Sequence, residues 1–583
     1  MAVSGAAAGF AGCVGEDPEA DGDDTGNGSG NGNENGNGNG NGDSDTDHVD
    51  QWFRSHMGEV PTDVQFNPWN PTNQDGHLNS FTHDPLAYYN GVSGEFDAAL
   101  ATDWGLEDDT AYVELREQTW HNGDQVTAND IVTQWRIDEY FGDALWDYIS
   151  EAEAVEDQRI EMTIEGDANP VVFWDTVLTG TPMGKQEQYE EWLEDLEAAG
   201  EDEEDEIVAD LQSHREEELV GHSVFAPEEI QERRVRLSVH EGHPNADQIN
   251  FNGVQLMHNP GNEGNWQSIR EGEQDAAAVA MPEEVRATLP DNILRYMWVP
   301  FVGFGLCFNY DHEWFSNRKV RQALAYAIDR ELAADNASEY WHVETPTGIG
   351  GVDRGVPKDN VGDELENFSQ YETDEERARE LLEGEGFYEE DGTWYTPNDE
   401  EFEVNIKVTA GHSDSVRGME TVSSQLQEFG MDASITTEEA TTLYGSSQPE
   451  GDFDILTWAW TISPHPFTNW EYTWNDSTEL NAASRPTEIE VPMPVGDPDG
   501  DLETLNVQEL VSDLGRATDD DEVQELMTTL AWAYNQELPF IPTWENWGHY
   551  FLNDDGWDLP GQDASEAQQM IHFLLKKGHV QAE

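Results

Sequence analysis

The richest run of chemistry-bearing side chains is Gly451 to Ser477, GDFDILTWAWTISPHPFTNWEYTWNDS. Trp458, Trp460, Phe467, Trp470 and Trp474 supply flat aromatic faces, with the Ser463 hydroxyl and the His465 imidazole among them. Rings interleaved with a few polar groups can form a stacking wall for a ligand, sugars included; the same rings can pack a core. A second cluster, His240-Glu241-Gly242-His243, invites a metal reading. Its histidines are three apart in a Gly-Pro loop, unlike the His-Glu-x-x-His spacing that puts two imidazoles on one helix face, so we assign no metal and no cofactor. Covalent chemistry finds no foothold. There is no Gly-x-Ser-x-Gly, no His-Glu-x-x-His and no phosphate-binding Gly-rich loop. Carboxylates are so abundant that no catalytic pair stands out. An extracellular enzyme is therefore the weaker class of reading, and a repeat-built surface protein is weaker still, since no internal repeat is present.

The elements that must position these residues centre on Tyr296 to Asn336. Val302, Phe304, Leu306 and Phe308 alternate with Gly303, Gly305, Cys307 and Asn309, a strand with one apolar and one nearly bare face. A bare glycine face lets another backbone or a ligand approach. Val320, Ala323, Leu324, Ala327, Ile328 and Leu332 then recur at three and four, which predicts one apolar helix stripe with Ser316 as N-cap. Arg318, Lys319 and Arg321 fall in its first turns, where the helix dipole disfavours cations, so an acidic group is expected against them.

Upstream, Asn122-Gly123 reads as a hairpin turn, and Thr127 with Asp130 three residues on as a capping-box variant. Gln186 to Glu218 is extremely acidic and reads as a solvated helical hairpin or a peripheral insertion. The segment from Glu232 to Val254 reads as strand, loop, strand. Downstream, Thr373 to Phe387 is an amphipathic helix capped by Thr373, with Ala378, Leu381 and Leu382 facing in and Gly384 ending it. Phe402, Val404, Ile406 and Val408 mark a period-two strand, followed by a helix and another strand. Such runs argue α/β layering.

Composition bounds the rest. At 583 residues the chain is long enough for two large lobes. Asp and Glu outnumber Lys and Arg 124 to 26, a formal net charge of -98. Nucleic acid is excluded as a partner, because phosphate binding needs clustered cations. Self-repulsion of this size is relieved only by screening, which points to a protein built for concentrated salt. With 21 Trp, 22 Phe and 17 Tyr the chain is too aromatic to be an acidic disordered protein. The two cysteines, Cys13 and Cys307, make no disulfide framework, and Cys307 reads as a small buried hydrophobe. Nothing approaches the length of a transmembrane helix. Residues Glu16 to Asp47 are Gly, Asn and acid, a flexible tether with a reach of roughly 30–35 Å.

Several of these strings resemble a known family. An aliphatic strand ending in Phe308-Asn309 and followed by VRQALAYAIDR is similar to a signature of the family 5 extracellular solute-binding proteins, the peptide-type receptors of ABC importers. Leu115-Arg116, Trp120 to Gly123 and Thr127 to Asp130 resemble its second signature. Gly272 to Val285, Ala459-Trp460 and Leu538 to Pro542 follow in the family's order, so the resemblance spans Gln51 to Trp557. It implies an α/β, two-lobed periplasmic-binding-protein-like fold of type II with an extra subdomain and a ligand cleft between the lobes. It implies capture of a peptide for an ABC permease and its ATPase subunits, by a monomer. On that alignment Ser463 stands where peptide binders carry an Asp for the peptide's amino group; a serine can hydrogen-bond but cannot neutralise a charge. An oligosaccharide or another small organic solute on the same scaffold is the alternative. The candidate ligand contacts are Trp458, Trp460, Ser463, His465 and Phe467, with Tyr88 and Tyr89 from the opening region. Residues 1–13 end in Phe-Ala-Gly-Cys, similar to a lipobox, which makes Cys13 the expected lipid attachment point on the outer face of the membrane. The expected organisation is a truncated signal segment over 1–13, a tether over 14–49, lobe 1 with an inserted subdomain over 50–300, lobe 2 over 301–530, and a return to lobe 1 over 531–583.

Overall fold

The computed structural model describes residues 48–56, 64–70, 75–90, 95–107, 110–231, 233–258, 261–279, 281–338, 342–344, 361–410, 412–439, 442–461, 465, 467–474, 485–562 and 564–583. Cys13 and Ser463 therefore lie outside the described residues, as does the side chain of Trp460.

A seven-stranded mixed sheet forms the spine. Its order is Ala276–Ala277, Phe540–Asn553, Ile293–Phe308, Ile455–Thr461, Glu403–Thr409, Asp432–Glu438, with His342–Glu344 pairing to Phe540–Asn553 off this path. The strand Ile293–Phe308 starts further upstream than its clean alternation suggests and pairs antiparallel with strands on both sides. Its two faces lead to two cores. Phe304, Leu306 and Phe308 join Val404, Ile406 and Val408 under the helices Arg318–Ala327 and Ser413–Phe429. On the other face Gly303 lies opposite Trp460, Gly305 opposite Trp458 and Cys307 opposite Leu456. The bare face thus makes room for large residues of the neighbouring strand.

Cys307 is buried as expected, yet it is more than a small hydrophobe: Nη2 of the buried Arg485 lies 2.9 Å from its Sγ. The Arg485 guanidinium sits 4.6 Å over the Phe540 ring.

The predicted single helix after Asn317 is two. Arg318–Ala327 stops at Ile328, which is extended, and Arg330–Ala337 restarts under Asp329, whose side chain accepts from Leu332 N. A capping carboxylate competes with helix continuation for the same backbone donor. The Ile328 carbonyl is taken by Thr373 Oγ1, and Asp329 N donates to Gln425 Oε1. Leu332 consequently leaves the apolar stripe and is 46% exposed. Asn317, not Ser316, caps the first helix, accepting from Lys319 N. Likewise Asp374, not Thr373, caps Glu375–Gly384; Thr373 is engaged with Ile328 instead.

Two four-stranded sheets precede the spine. One has the order Val49–His56, Phe251–Met257, Arg234–Val239, Phe225–Gln231; the other Ala101–Glu107, Thr110–Leu115, Arg159–Ile164, Ile149–Glu156. The Asn122-Gly123 turn forms with Gly123 at a φ of +93°, the left-handed region glycine tolerates. The capping box is present: Asp130 Oδ2 accepts from Thr127 N at 2.8 Å. The acidic stretch is a helical hairpin, Gln186–Ala198 and Glu201–Ser213, anchored by Tyr189, Leu193, Leu196 and Leu211. Among the described residues no helix is long and apolar enough to cross a membrane. One large core runs from Leu86 through Leu178 of the early chain to Trp470, Trp474, Leu514 and Phe540 of the later chain, so early and late segments pack on one another.

Candidate functional site

Where the halves meet, the short turn Ala144–Asp147 faces the helices Phe467–Trp474 and Val507–Arg516. The contact is tight. Asn169 N donates to Gly515 O at 2.9 Å. A Cβ on Gly515 would stand 2.5 Å from the Tyr148 hydroxyl and 2.7 Å from the Phe467 ring. Glycine is required here by close approach. Beside this contact lies a cavity of about 410 Å³, a size that suits a small organic group. Tyr148, Phe467 and Trp474 give it aromatic walls; Asp147, Glu471, Glu509 and Arg516 give it charge. Burial pushes the Asp147 carboxyl up, and the Arg516 guanidinium opposes that shift. Burial, with Glu471 and Asp147 nearby, also holds the Tyr148 phenol in its neutral form.

The candidate side chains are distributed unevenly about this site. Phe467 is buried and lines the cavity. His465 sits at the start of the same helix, its Nδ1 accepting from Phe467 N at 3.2 Å; burial lowers its pKa to about 4. Trp458 is half-buried on the spine and packs against the large core. Trp460 occupies the next same-face position of that strand. Tyr88 and Tyr89 are elsewhere. Tyr89 packs against Phe96 on a small hairpin, and the Tyr88 ring meets Phe573, its hydroxyl 3.1 Å from Lys576 Nζ.

The histidine loop belongs to the Tyr88 neighbourhood. His243 Nε2 lies 3.0 Å from Asp84 Oδ2, and His240 Nε2 lies 2.8 Å from Thr119 Oγ1. Asp84 also takes Arg116 at 3.2 Å, Lys576 at 3.1 Å and the Ser223 hydroxyl at 3.0 Å. Burial would raise the Asp84 carboxyl, but Lys576, His243 and Arg116 outweigh it and hold it well below the usual range. This buried cluster ties the chain's C-terminal helix Ile571–Lys576 to the early chain. Among the described residues no three His, Cys, Asp or Glu side chains are arranged to hold a metal ion.

Asp147, Tyr148, Glu509 and Arg516 are site residues the sequence reading did not single out. They come from segments far apart in the chain with no motif among them. The one available hint was the amphipathic face of Val507–Arg516, which buries Val507, Val511 and Leu514.

Comparison with known proteins follows the same lines. Residues 95–482 match the family described as bacterial extracellular solute-binding proteins, family 5 middle. The oligopeptide-binding protein AppA of Bacillus subtilis is 26% identical over 165 residues, a stretch covering 27% of this chain and 28% of that relative. Among solved structures, a mannohexaose-bound periplasmic oligopeptide-binding protein of an ABC transporter from Thermotoga maritima aligns with TM-score 0.75 at 18% identity, covering 91% of this chain and 98% of the other. AppA of B. subtilis in complex with a nonapeptide aligns with TM-score 0.71 at 14% identity, covering 92% and 100%. NikZ of Campylobacter jejuni with Ni(L-His) aligns with TM-score 0.66 at 16% identity, covering 91% and 99%. These likenesses show a two-lobed fold of the periplasmic-binding type.

Proposed function

The chain belongs to the bacterial extracellular solute-binding proteins of family 5, and from that premise we propose that it captures a peptide and delivers it to the permease of an ABC importer. The observation that carries the reading is the cavity bounded by both halves of the chain, with aromatic walls and charged corners. A ligand held between two bodies couples binding to closure, and closure is what a permease can recognise. Transport energy then comes from the partner's ATPase subunits, and the receptor itself performs no catalytic step. AppA's peptide ligand supports peptide as the substrate class. We assign ligand contact to Trp458, Trp460, Ser463, His465 and Phe467, and assign Tyr88 to the buried cluster with Lys576.

The lobes divide near residue 300, with the last 53 residues returning to lobe 1. The receptor works as a monomer, hung from the outer membrane face by lipid on Cys13 through the acidic tether, in concentrated salt. A native protein that stays soluble without detergent and carries no lipid mass would overturn the anchor.

A saccharide on the same scaffold is the second reading. It is favoured by the indoles along Gly451 to Ser477 and by the mannohexaose in the T. maritima protein. Mass spectrometry of the ligand released by denaturing protein made in a high-salt host decides between them. A ladder of short peptides is expected; a single saccharide would replace the first reading with the second.

A further inference from the structure

The acceptor for N-linked sugar is Asn-x-Ser or Asn-x-Thr with any residue but proline between, and it is used on exported chains. The chain holds four such triplets: Asn27-Gly28-Ser29, Asn336-Ala337-Ser338, Asn367-Phe368-Ser369 and Asn475-Asp476-Ser477. Asn70-Pro71-Thr72 is barred by its proline. A three-residue string also arises by chance, so the fold has to discriminate among them. A sugar is bulky and hydrophilic. Its asparagine must end in solvent, with an amide the fold does not need.

Asn27 and Asn475 lie outside the described residues. Asn367 is exposed at the end of the short turn Gly362–Asn367, but its Nδ2 donates to Glu364 Oε2 at 3.2 Å, and a Cβ on Gly496 would stand 2.8 Å from its own Cβ. Asn336 is less encumbered. It is exposed on the last turn of Arg330–Ala337. Its carbonyl accepts from Arg417 Nε at 3.3 Å, while no described residue bonds its side-chain amide. The helix ends one residue later. Ser338 is extended, and its N–H closes the turn on the Ala334 carbonyl at 2.9 Å. Ala337 and Ser338 are buried and pin the helix end, so of the triplet only Asn336 reaches solvent. Leu332, 46% exposed, lies one turn back on the same helix face, within reach of a sugar on Asn336.

We infer that Asn336 is an N-glycosylation site, carrying in the mature protein a sugar that projects from the end of Arg330–Ala337 over Leu332. The inference draws on the extracellular setting of the family and is independent of which solute is bound.

The transfer takes a co-reactant from outside the chain, a sugar joined through phosphate to a membrane lipid. Asn336 Nδ2 bonds to the anomeric carbon, and the bond from that carbon to the phosphate oxygen breaks. The lipid phosphate leaves with the electron pair, and an amide proton passes to a base of the transferase. Ser338 is only 7% exposed in the folded chain, so the triplet is read on the emerging chain, before this helix docks.

The test uses full-length protein taken from the surface of the cell that makes it, digested with trypsin. The peptide spanning residues 331–354 contains one asparagine, Asn336, and the peptide spanning 359–377 contains Asn367. The first is expected to exceed its sequence mass by one or more sugar residues, with electron-transfer fragmentation placing the addition on Asn336. Asn336→Gln and Ser338→Ala are expected to abolish that shift; Ser338→Thr, which keeps the hydroxyl, is expected to retain it. A 331–354 peptide found only at its sequence mass in the unaltered protein would overturn the site and leave the receptor reading standing, and sugar confined to Asn367 would do the same. Because the decisive mass is read on the unaltered protein, a variant that folds poorly does not change the outcome.

Discussion

Arg321 offers the sharpest test of how this acidic chain holds its second core. The residue is fully buried on the helix Arg318–Ala327. Its Nε donates to the Glu537 and Leu538 carbonyls, both at 3.1 Å, and Nη1 to the Phe315 carbonyl at 2.7 Å. Its Nη2 donates to the Glu537 carbonyl at 2.7 Å and to the Glu537 carboxylate. The guanidinium also lies 4.3 Å over the Tyr310 ring. Arg321→Met keeps much of the volume but strips a 93% buried carboxylate of its counter-charge, leaving it the Tyr310 hydroxyl at 3.3 Å. Breaking one side of a buried pair costs about 3–5 kcal/mol. The exposed pair Arg377–Glu380 provides the contrast: Arg377→Met should cost less than about 1 kcal/mol. Arg321→Met/Glu537→Met should recover part of the single variant's loss, because no unpaired charge remains. Urea unfolding followed by tryptophan fluorescence at 1 M and 3 M KCl measures all three. The Arg321→Met loss should be the same at both salt concentrations, since no solvent separates the pair. A loss under about 1 kcal/mol, or one that shrinks with salt, would refute the reasoning.

Other outcomes follow from the same structure. A net charge of -98 predicts a melting temperature that rises steeply from dilute to near-saturating KCl; equal melting in both would refute a protein adapted to salt. Burial lowers His77, His121 and His572 to about 3 and His222 to about 4, so the unfolded chain binds these protons first. Their stabilising neutral forms are fully present above pH 6.5, and stability is lost as pH falls from there toward 4. Burial raises Asp138 and Asp175 to about 7, which opposes the trend over the same window, but two carboxyls face four imidazoles. Unfolding midpoints in 2 M KCl should therefore drop between pH 7 and pH 4.5, and a flat profile would count against the buried-histidine account. Gly515→Leu should hold the halves apart, raising the radius of gyration by small-angle scattering and weakening ligand binding at least tenfold; an unchanged radius would show that the Tyr148–Phe467 approach can relax.

Much of this architecture was legible in the residues. Phe402, Val404, Ile406 and Val408 alternate because one face of their strand is buried, and all four are in the core. Thr127 and Asp130 close a local hydrogen-bonded box that needs nothing from the rest of the chain. The acidic hairpin and the opposite faces of Ile293–Phe308 are equally local, and so were readable. Of the three cations expected to need an acidic neighbour, Arg321 has one in Glu537, although its position 216 residues away could not be read; Arg318 donates to the Glu490 carbonyl and Lys319 to Gln322. Where local signals competed, tertiary partners decided. Asn317 and Asp374 took the caps that Ser316 and Thr373 also could have formed in principle, and the helix after Asn317 broke at Asp329 because Gln425 and Thr373 arrived to satisfy its open ends.

Sequence by itself determined the family, the strand and helix periods and the net charge, because each depends on neighbouring residues or on composition. Only the tertiary structure decided which aromatics meet a cavity. It placed Phe467 there and Tyr88 against Lys576, and brought Asp147, Glu471, Glu509 and Arg516 together from three separate segments. A side chain's period tells which face it takes, but not what the chain later lays against that face.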